Sequence, residues 1–284
     1  MNKNTDKYKP KSGAAYYLSS QFFPKGIRDD VFKLYSFVRT VSNFIDESPV
    51  DVGNFEHIES RWLTIKGQLA RLEVPSPLDD SASERVLCNI AYVVHRHRCD
   101  PAWVDAFLKS KRWDMQKHQY RALKDILEYM YGSAEVIGLF MARILDLPEE
   151  ALKAARYQAR AIQYITFLRD IPKNTALARN YFPMGDVKKF GLKNLSEAEA
   201  RAKPGMFADF MHAQLLRYAQ WQTEANEGFI YVPKRLRVPL HTAVDMYNWT
   251  AQELKYNPLV VYDKQLKPKK RRVVRGVIRR SITS

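Results

Sequence analysis

The sequence predicts an all-α protein, on three observations. Glycine supplies only 11 of 284 residues, too few for a strand-and-turn architecture. Hydrophobic residues make up 46% and aromatics 12%, enough for a large packed core. Apolar positions recur at helical rather than alternating spacing. No internal repeat or domain boundary interrupts that pattern, so one helical domain is expected.

Taken in order, residues 1–13 read as a flexible basic leader, and Ala14–Phe23 as a short apolar helix closed by Pro24-Lys25-Gly26. From Arg28 to Glu47, Val31, Leu34, Val38, Val41 and Ile45 form one apolar face, with a narrow strip of Tyr35, Arg39, Ser42 and Asp46 beside it. Ser48-Pro49 stops this helix, because the residue before proline avoids the α region. Phe55–Leu72 and Glu84–Arg96 are predicted helices either side of a proline-containing loop, Val74–Asp80. Pro101–Lys109 is a short helix and Trp113–Leu147 a long helical stretch with a break expected near Gly132. The small residues Gly132-Ser133-Ala134 and Gly138 would let a neighbouring helix come close. Glu149–Ile171 is helical, and Thr175–Lys193 is expected to be a loop. Helices at Phe207–Glu227 and Leu240–Gln252 precede a basic tail at residues 263–284.

The polar residues of Gln158–Pro183 are not scattered. At about 100° per residue, Gln163, Thr166, Asp170 and Asn174 fall within a strip roughly 80° wide. Ile162, Ile165, Phe167, Leu168 and Ile171 cover most of the remaining circumference. A helix so largely apolar is buried, so its strip faces polar partners, water, ions or a ligand-filled cavity. Asp170, beside Arg169, is the first candidate for chemistry.

Composition narrows the function classes. No run of eighteen apolar residues marks a transmembrane helix, and the N-terminus lacks the apolar segment of a signal peptide. Cys88 and Cys99 make no disulfide framework, and no Cys/His cluster has zinc spacing; a reducing cytoplasm is the expected setting. A formal charge of +15 asks for an anionic partner. The tail fits a solubilising segment or a tether to an anionic membrane surface, where each basic residue contributes about 1 kcal/mol. Nothing reads as a nucleic-acid module, so no nucleic-acid partner is expected.

Three stretches in order resemble the squalene/phytoene synthase family. Ala15–Glu47 is similar to that family's opening segment, with Tyr35-x-x-x-Arg39 leading into an aspartate motif. Tyr129–Gly138, YMYGSAEVIG, resembles Tyr-Cys-Tyr-x-Val-Ala-Gly-x-Val-Gly. Gln163–Pro183 resembles Gln-x-x-Asn-x-x-Arg-Asp, an acidic pair and Gly-Arg-x-Tyr-x-Pro. Weaker likeness runs through Tyr218, Pro233, Arg235 and Tyr247, so residues 14–262 are expected to form the family's domain.

The resemblance implies an isoprenoid-synthase helical bundle around a central cavity. It also implies head-to-head condensation of two prenyl diphosphates: geranylgeranyl diphosphate to phytoene, or farnesyl diphosphate to squalene when NADPH supplies a hydride. Carried over position by position, Tyr129, Asp46 and Asp170 take catalytic places, with Asp46 and Asp170 as Mg²⁺ ligands. Tyr35, Arg39, Ser42, Gln163, Thr166, Arg169, Asn174, Arg179 and Tyr181 take substrate-binding places. These residue types suit such chemistry, since arginines pair with phosphate oxygens and hard oxygen ligands suit Mg²⁺. Aromatic faces such as Phe22, Tyr35, Tyr129 and Phe167 are placed to stabilise a carbocation or simply to pack. The protein is expected to work peripherally at the membrane.

The departures fall on the metal ligands. Ser42 and Asn43 stand where the family carries acids, and Asn174 replaces the second acid of the later motif. Pro172 is expected to kink or end the helix, taking Asn174 off the strip. Two accounts follow: an enzyme holding fewer metals, with cations such as Lys173 binding diphosphate directly, or a homologue that keeps the fold and binds a lipid or partner protein.

Overall fold

The structure is a computed structural model that describes residues 23–73, 75–116 and 119–266. The expectations for Ala14–Phe22, including the aromatic Phe22, and for the tail beyond residue 266 lie outside the described residues. Among the described residues there is no strand, only a single bridge between Tyr120 and Pro183. The all-α expectation holds.

Helix α1 (Lys25–Asp46) buries Val31, Leu34, Phe37, Val41 and Ile45. It packs against α3 (Ala82–Arg96), while α2 (Val52–Ala70) packs against both. Asp51 caps α2 and Ser81 caps α3 by accepting backbone N–H bonds, the ordinary use of such residues at a helix start. Helix α4 (Ala102–Gln116) runs longer than the proline-bounded Pro101–Lys109 segment suggested. The Trp113–Leu147 stretch is corrected at its start, and the α-helix is interrupted near Gly132 as expected. The chain leaves α4 at Gln116 and restarts in α5 (Leu123–Met130), and Gly132 lies in a widened π-turn, Tyr131–Glu135, that leads into α6 (Val136–Ile144).

The small residues do what their size suggested. A side chain added at Gly132 would place Cβ 2.2 Å from the Ala106 carbonyl oxygen, so α4 and the π-turn meet backbone to backbone. Gly138 likewise lets α6 lie on α7 (Leu152–Arg169). The π-turn also buries Glu135, paired with Arg156 and Arg160 of α7 at 2.9 and 2.7 Å, a charge closed by two partners rather than left bare.

Helix α7 ends at Arg169. Asp170 (φ −102°, ψ 20°) is the hinge residue, and α8 (Ile171–Ala176) begins immediately with Pro172 in its first turn, where a missing N–H costs nothing. The Thr175–Lys193 loop expectation is corrected, since α8 extends into it and α9 (Met184–Lys189) forms within it. Short α10 (Glu197–Ala202) precedes α11 (Pro204–Asn226), which packs along α7. After a 3₁₀ turn (Glu227–Tyr231), α12 (Lys234–Tyr256) starts six residues earlier than predicted and carries Pro239 near its beginning. Helix α13 (Val260–Asp263) closes the described chain.

Two apolar cores result. One joins α1 to α4 and α6; the other joins α5, α7, α9, α11 and α12. Between them α1, α6, α7 and α12 line an open cavity.

Candidate active site

The cavity has a volume of about 260 Å³ and walls of small and aliphatic side chains. Val31, Leu34 and Val38 line it from α1, Ile137, Gly138 and Met141 from α6, and Leu240, Ala243 and Val244 from α12. On α7 its lining extends from Ala151, just before the helix, to Gln163, about 18 Å at 1.5 Å per residue. That is room for several isoprene units in line. Its polar lining residues are Tyr35, Ser133, Gln158, Gln163 and Tyr247, and the two tyrosines mark the end toward Arg169 and Asp170.

Beyond that end the charged residues gather. Both oxygens of Asp170 accept hydrogen bonds from Arg169, each at 2.7 Å. Burial, countered by Arg169 and reinforced by Tyr35 and Asp170, leaves the Tyr247 hydroxyl with a raised pKa. The pair Arg169–Asp170 therefore sits next to the polar end of the cavity.

A second cluster lies where the end of α1 meets the chain after α8. Arg179 donates to the Asp46 carboxylate at 2.7 Å and to the Ile45 carbonyl at 3.3 Å. Burial alone would raise the Asp46 carboxyl, but Lys111, the Arg179 hydrogen bond and Lys173 outweigh it and hold the group below its ordinary value. Lys111 is itself held by Asp114 at 2.8 Å. Asp114, buried, also accepts from Tyr129 at 2.8 Å and from Tyr181 at 2.7 Å. Burial and the adjacent Asp114 charge push both tyrosine hydroxyls well above their ordinary range, so both act as hydrogen-bond donors. Their rings stack 5.2 Å apart, and Phe167 stacks on Tyr181 at 4.3 Å.

The structure thus brings Asp46, Arg179, Tyr129 and Tyr181 into one network and places Arg169 with Asp170 at the cavity end. Tyr35 and Gln163 line the cavity itself. Arg39 and Ser42 share their α1 strip and are half-buried. Other candidates are placed differently. The Thr166 hydroxyl is spent on the Ile162 carbonyl at 2.8 Å. Asn174 keeps helical spacing, its N–H donating to the Asp170 carbonyl four residues back, and it lines a separate polar hollow with Arg179 and Asn180. Asn43 borders an outer groove with Thr40 and Glu47. Tyr129 and Phe167 pack in the core rather than on the cavity wall.

Sequence reading missed Lys111 and Asp114. Their i, i+3 spacing was the only available signal, and in a charged segment that spacing equally describes a solvated face.

The geometry agrees with comparisons to known proteins. Residues 9–274 match the family model for squalene/phytoene synthase. The chain belongs to the squalene/phytoene synthase family. It is 24% identical over 244 residues to a 15-cis-phytoene synthase of Paracoccus sp. (strain N81106 / MBIC 01143), covering 82% of this chain and 75% of that protein. A 15-cis-phytoene synthase of Enterobacter agglomerans is 26% identical over 239 residues, 82% of this chain and 79% of that one. Among solved structures, a dehydrosqualene synthase in complex with ligand superposes with a TM-score of 0.77 at 20% identity, over 95% of this chain and 91% of that one. Squalene synthase HpnC from Alicyclobacillus acidocaldarius gives 0.70 at 19% identity, over 85% and 89%. These likenesses confirm the isoprenoid-synthase fold.

Mg²⁺, which the family resemblance implies, needs free carboxylate oxygens. Both oxygens of Asp170 are taken by Arg169, Arg179 holds one oxygen of Asp46, and Asp114 is shared among Lys111, Tyr129 and Tyr181. Ser42 and Asn174 offer only neutral oxygens. Among the described residues no group of three or more acidic, histidine or cysteine side chains converges on a common point. As arranged, Asp170 offers the ion no oxygen that Arg169 does not hold, and Asp46 offers the one that Arg179 leaves.

Proposed function

We propose that this chain condenses two prenyl diphosphates head to head, with geranylgeranyl diphosphate as substrate and phytoene as product. One observation carries the reading: an apolar cavity, lined along about 18 Å of α7, has its Tyr247 beside Arg169 and Asp170. Such a pairing suits an amphiphile with a hydrocarbon tail and a diphosphate head. The named relatives are phytoene synthases, which favours the longer substrate over farnesyl diphosphate; NADPH has a place only for a squalene product.

In this reading the tail lies between Val38 and Met141, with Gln163 and Tyr247 at the polar mouth. Arg169 and Arg179 face the diphosphate, and Arg39 approaches from α1. The allylic carbon–oxygen bond breaks with its electron pair leaving on pyrophosphate, whose charge the cations receive. The double bond of the second chain then supplies the electrons of the new carbon–carbon bond, and loss of a proton closes a cyclopropane. The second carbon–oxygen bond then breaks with its electron pair leaving on the second pyrophosphate, and rearrangement of the cation with loss of a second proton gives the linear product. Tyr129, held by Asp114, positions Tyr181 and the arginine loop below the reacting centre.

Residues 14–262 form the domain in this proposal, flanked by the leader and the tail. Peripheral attachment of residues 263–284 to an anionic membrane suits a product too apolar for water; among the described residues no helix is long and apolar enough to cross a membrane.

A second reading has its own support. With every acid of the site tied to a cation, the fold also suits a homologue that binds a prenyl lipid without turning it over. Incubation with labelled geranylgeranyl or farnesyl diphosphate separates the two. A hydrocarbon product that disappears in Asp170→Asn establishes the enzyme; no product from either substrate, beside an active control synthase, leaves the binding protein.

A further inference from the structure

One end of the bundle, none of whose residues lines the cavity, is basic and partly apolar at its surface. Four segments meet there: residues 188–193 after α9, helix α10, the start of α11, and the end of α12 with α13. Their contacts fix them together. Lys203 donates to the Gly191 carbonyl at 2.9 Å, and a Cβ added at Gly191 (φ 73°) would fall 2.9 Å from the Met206 sulfur. The Phe207 ring packs on Tyr262 of α13 at 5.7 Å, and His212 donates to the Lys255 carbonyl at 3.2 Å.

Most acids of this end are already engaged. Glu197 and Asp263 both pair with Arg201, at 2.8 and 2.6 Å, and Glu199 pairs with Lys203 at 2.9 Å. Asp209 and Glu253 are the other carboxylates of these segments. Lys188, Lys189, Lys193 and Lys255 are exposed. Two large side chains stand out among them: Met206 is 48% exposed and Tyr256 93%. Leu266, buried in the second core, starts the remaining chain from the same end. Residues 267–284 carry eight lysines and arginines and no acid. Tyrosine and lysine each join an apolar body to a polar tip, a combination that suits the boundary between water and lipid.

We propose that this end of the bundle is a docking face for an anionic lipid bilayer. Lys188, Lys189 and Lys193 meet the headgroup phosphates, Met206 and Tyr256 enter the headgroup layer, and residues 267–284 add their charge to the same contact. This deepens the membrane attachment proposed above, which called on the tail alone: the folded surface takes part and sets how the molecule is oriented on the membrane. A nucleic acid would answer the charge equally well. It offers Met206 no apolar surroundings, whereas a bilayer does, and that decides for lipid.

The test is co-sedimentation of the full chain with vesicles of phosphatidylcholine alone, or of equal parts phosphatidylcholine and phosphatidylserine. The expected result is binding to the mixed vesicles that weakens with added salt and is far weaker on phosphatidylcholine. The triple variant Lys188→Gln, Lys189→Gln, Lys193→Gln, with the tail untouched, lowers affinity on the order of a hundredfold, about fivefold for each lysine. Met206→Ser with Tyr256→Ser lowers it about tenfold. All these positions are exposed, and helical circular dichroism verifies that the variants fold. Unchanged affinity in the triple variant, with binding abolished by Lys269→Gln, Lys270→Gln, Arg271→Gln and Arg272→Gln together, makes the tail the sole tether and overturns the proposal. So does binding to a single-stranded RNA at least as tight as to the mixed vesicles, and so does absence of binding to either lipid mixture.

Hydrocarbon formation is scored separately, in detergent without vesicles, where the triple lysine variant is expected to match the unaltered chain. Product in detergent without vesicle binding would preserve the condensation reading and remove the docking face. Vesicle binding that depends on the three lysines, without product, supports the face and tells against turnover.

Discussion

Gly138 sets how closely α6 and α7 approach, and its replacement by alanine has a calculable consequence. The new Cβ would lie 2.4 Å from the Ala155 carbonyl oxygen and 2.9 Å from the Ala159 Cβ. Ordinary contact begins at 3.4 Å, so the helices must part by about 1 Å along the wall of the cavity. Two effects compete. Alanine in place of glycine favours a helix by about 1 kcal/mol. Overpacking against backbone, which has no rotamer to escape into, costs about 1–3 kcal/mol and outweighs it. Net destabilisation of up to about 2 kcal/mol is expected, lowering the melting temperature by up to roughly 8 °C in a domain of this size. Thermal unfolding followed by circular dichroism measures it. Gly205→Ala is the control, because a Cβ there meets nothing within 4 Å and only the helix-forming gain operates. A Gly138→Ala melting temperature equal to or above that of Gly205→Ala would refute the close-approach reasoning.

Other consequences can be measured in the same way. Asp114→Asn leaves Lys111 buried without its counter-charge and is expected to cost about 3 kcal/mol in urea denaturation; a loss under about 1 kcal/mol would mean the pair is solvated. Tyr129→Phe removes one of the hydroxyls donating to Asp114 and should cost about 1 kcal/mol of stability, while product formation falls at least tenfold if Tyr129 positions the site; equal product yield would confine it to packing. The Asp46 carboxyl titrates lower folded than unfolded, so its stabilising contribution is complete above the ordinary aspartate range and fades as pH falls through the lowered value. Asp46→Asn should therefore flatten the acid limb of a stability–pH curve and leave its neutral region shaped as before.

How legible all this was in the sequence depended on distance along the chain. Helical periodicity located α1, α3 and α7 because their buried faces repeat within each segment. The helix stop before Pro172 was readable because proline acts on its immediate neighbours. The fate of residues 175–193 was not, since α8 and α9 are short helices whose buried apolar residues, Ile171 and Val187, are too few to show a period. In the site, acid losses at Ser42, Asn43 and Asn174 stood out against the family pattern, whereas the tie between each surviving acid and its arginine did not. Asp46 and Arg179 are 133 residues apart, and no local rule connects them. Asp114 illustrates the same limit, since its three partners come from its own helix, from α5 and from the loop after α8.

The Asp46–Arg179 pair bears on the order in which the molecule assembles. Closing a loop of 133 residues costs conformational entropy that only late, collective packing can repay, while α1 and α7 draw on local contacts from the outset. The Asp46–Arg179 contact is thus among the last features to form and the first to open. Substitutions at Asp46 or Arg179 should accordingly accelerate unfolding and leave the refolding rate almost untouched. A chain cut before Arg179 would retain its early helices and have no site at all.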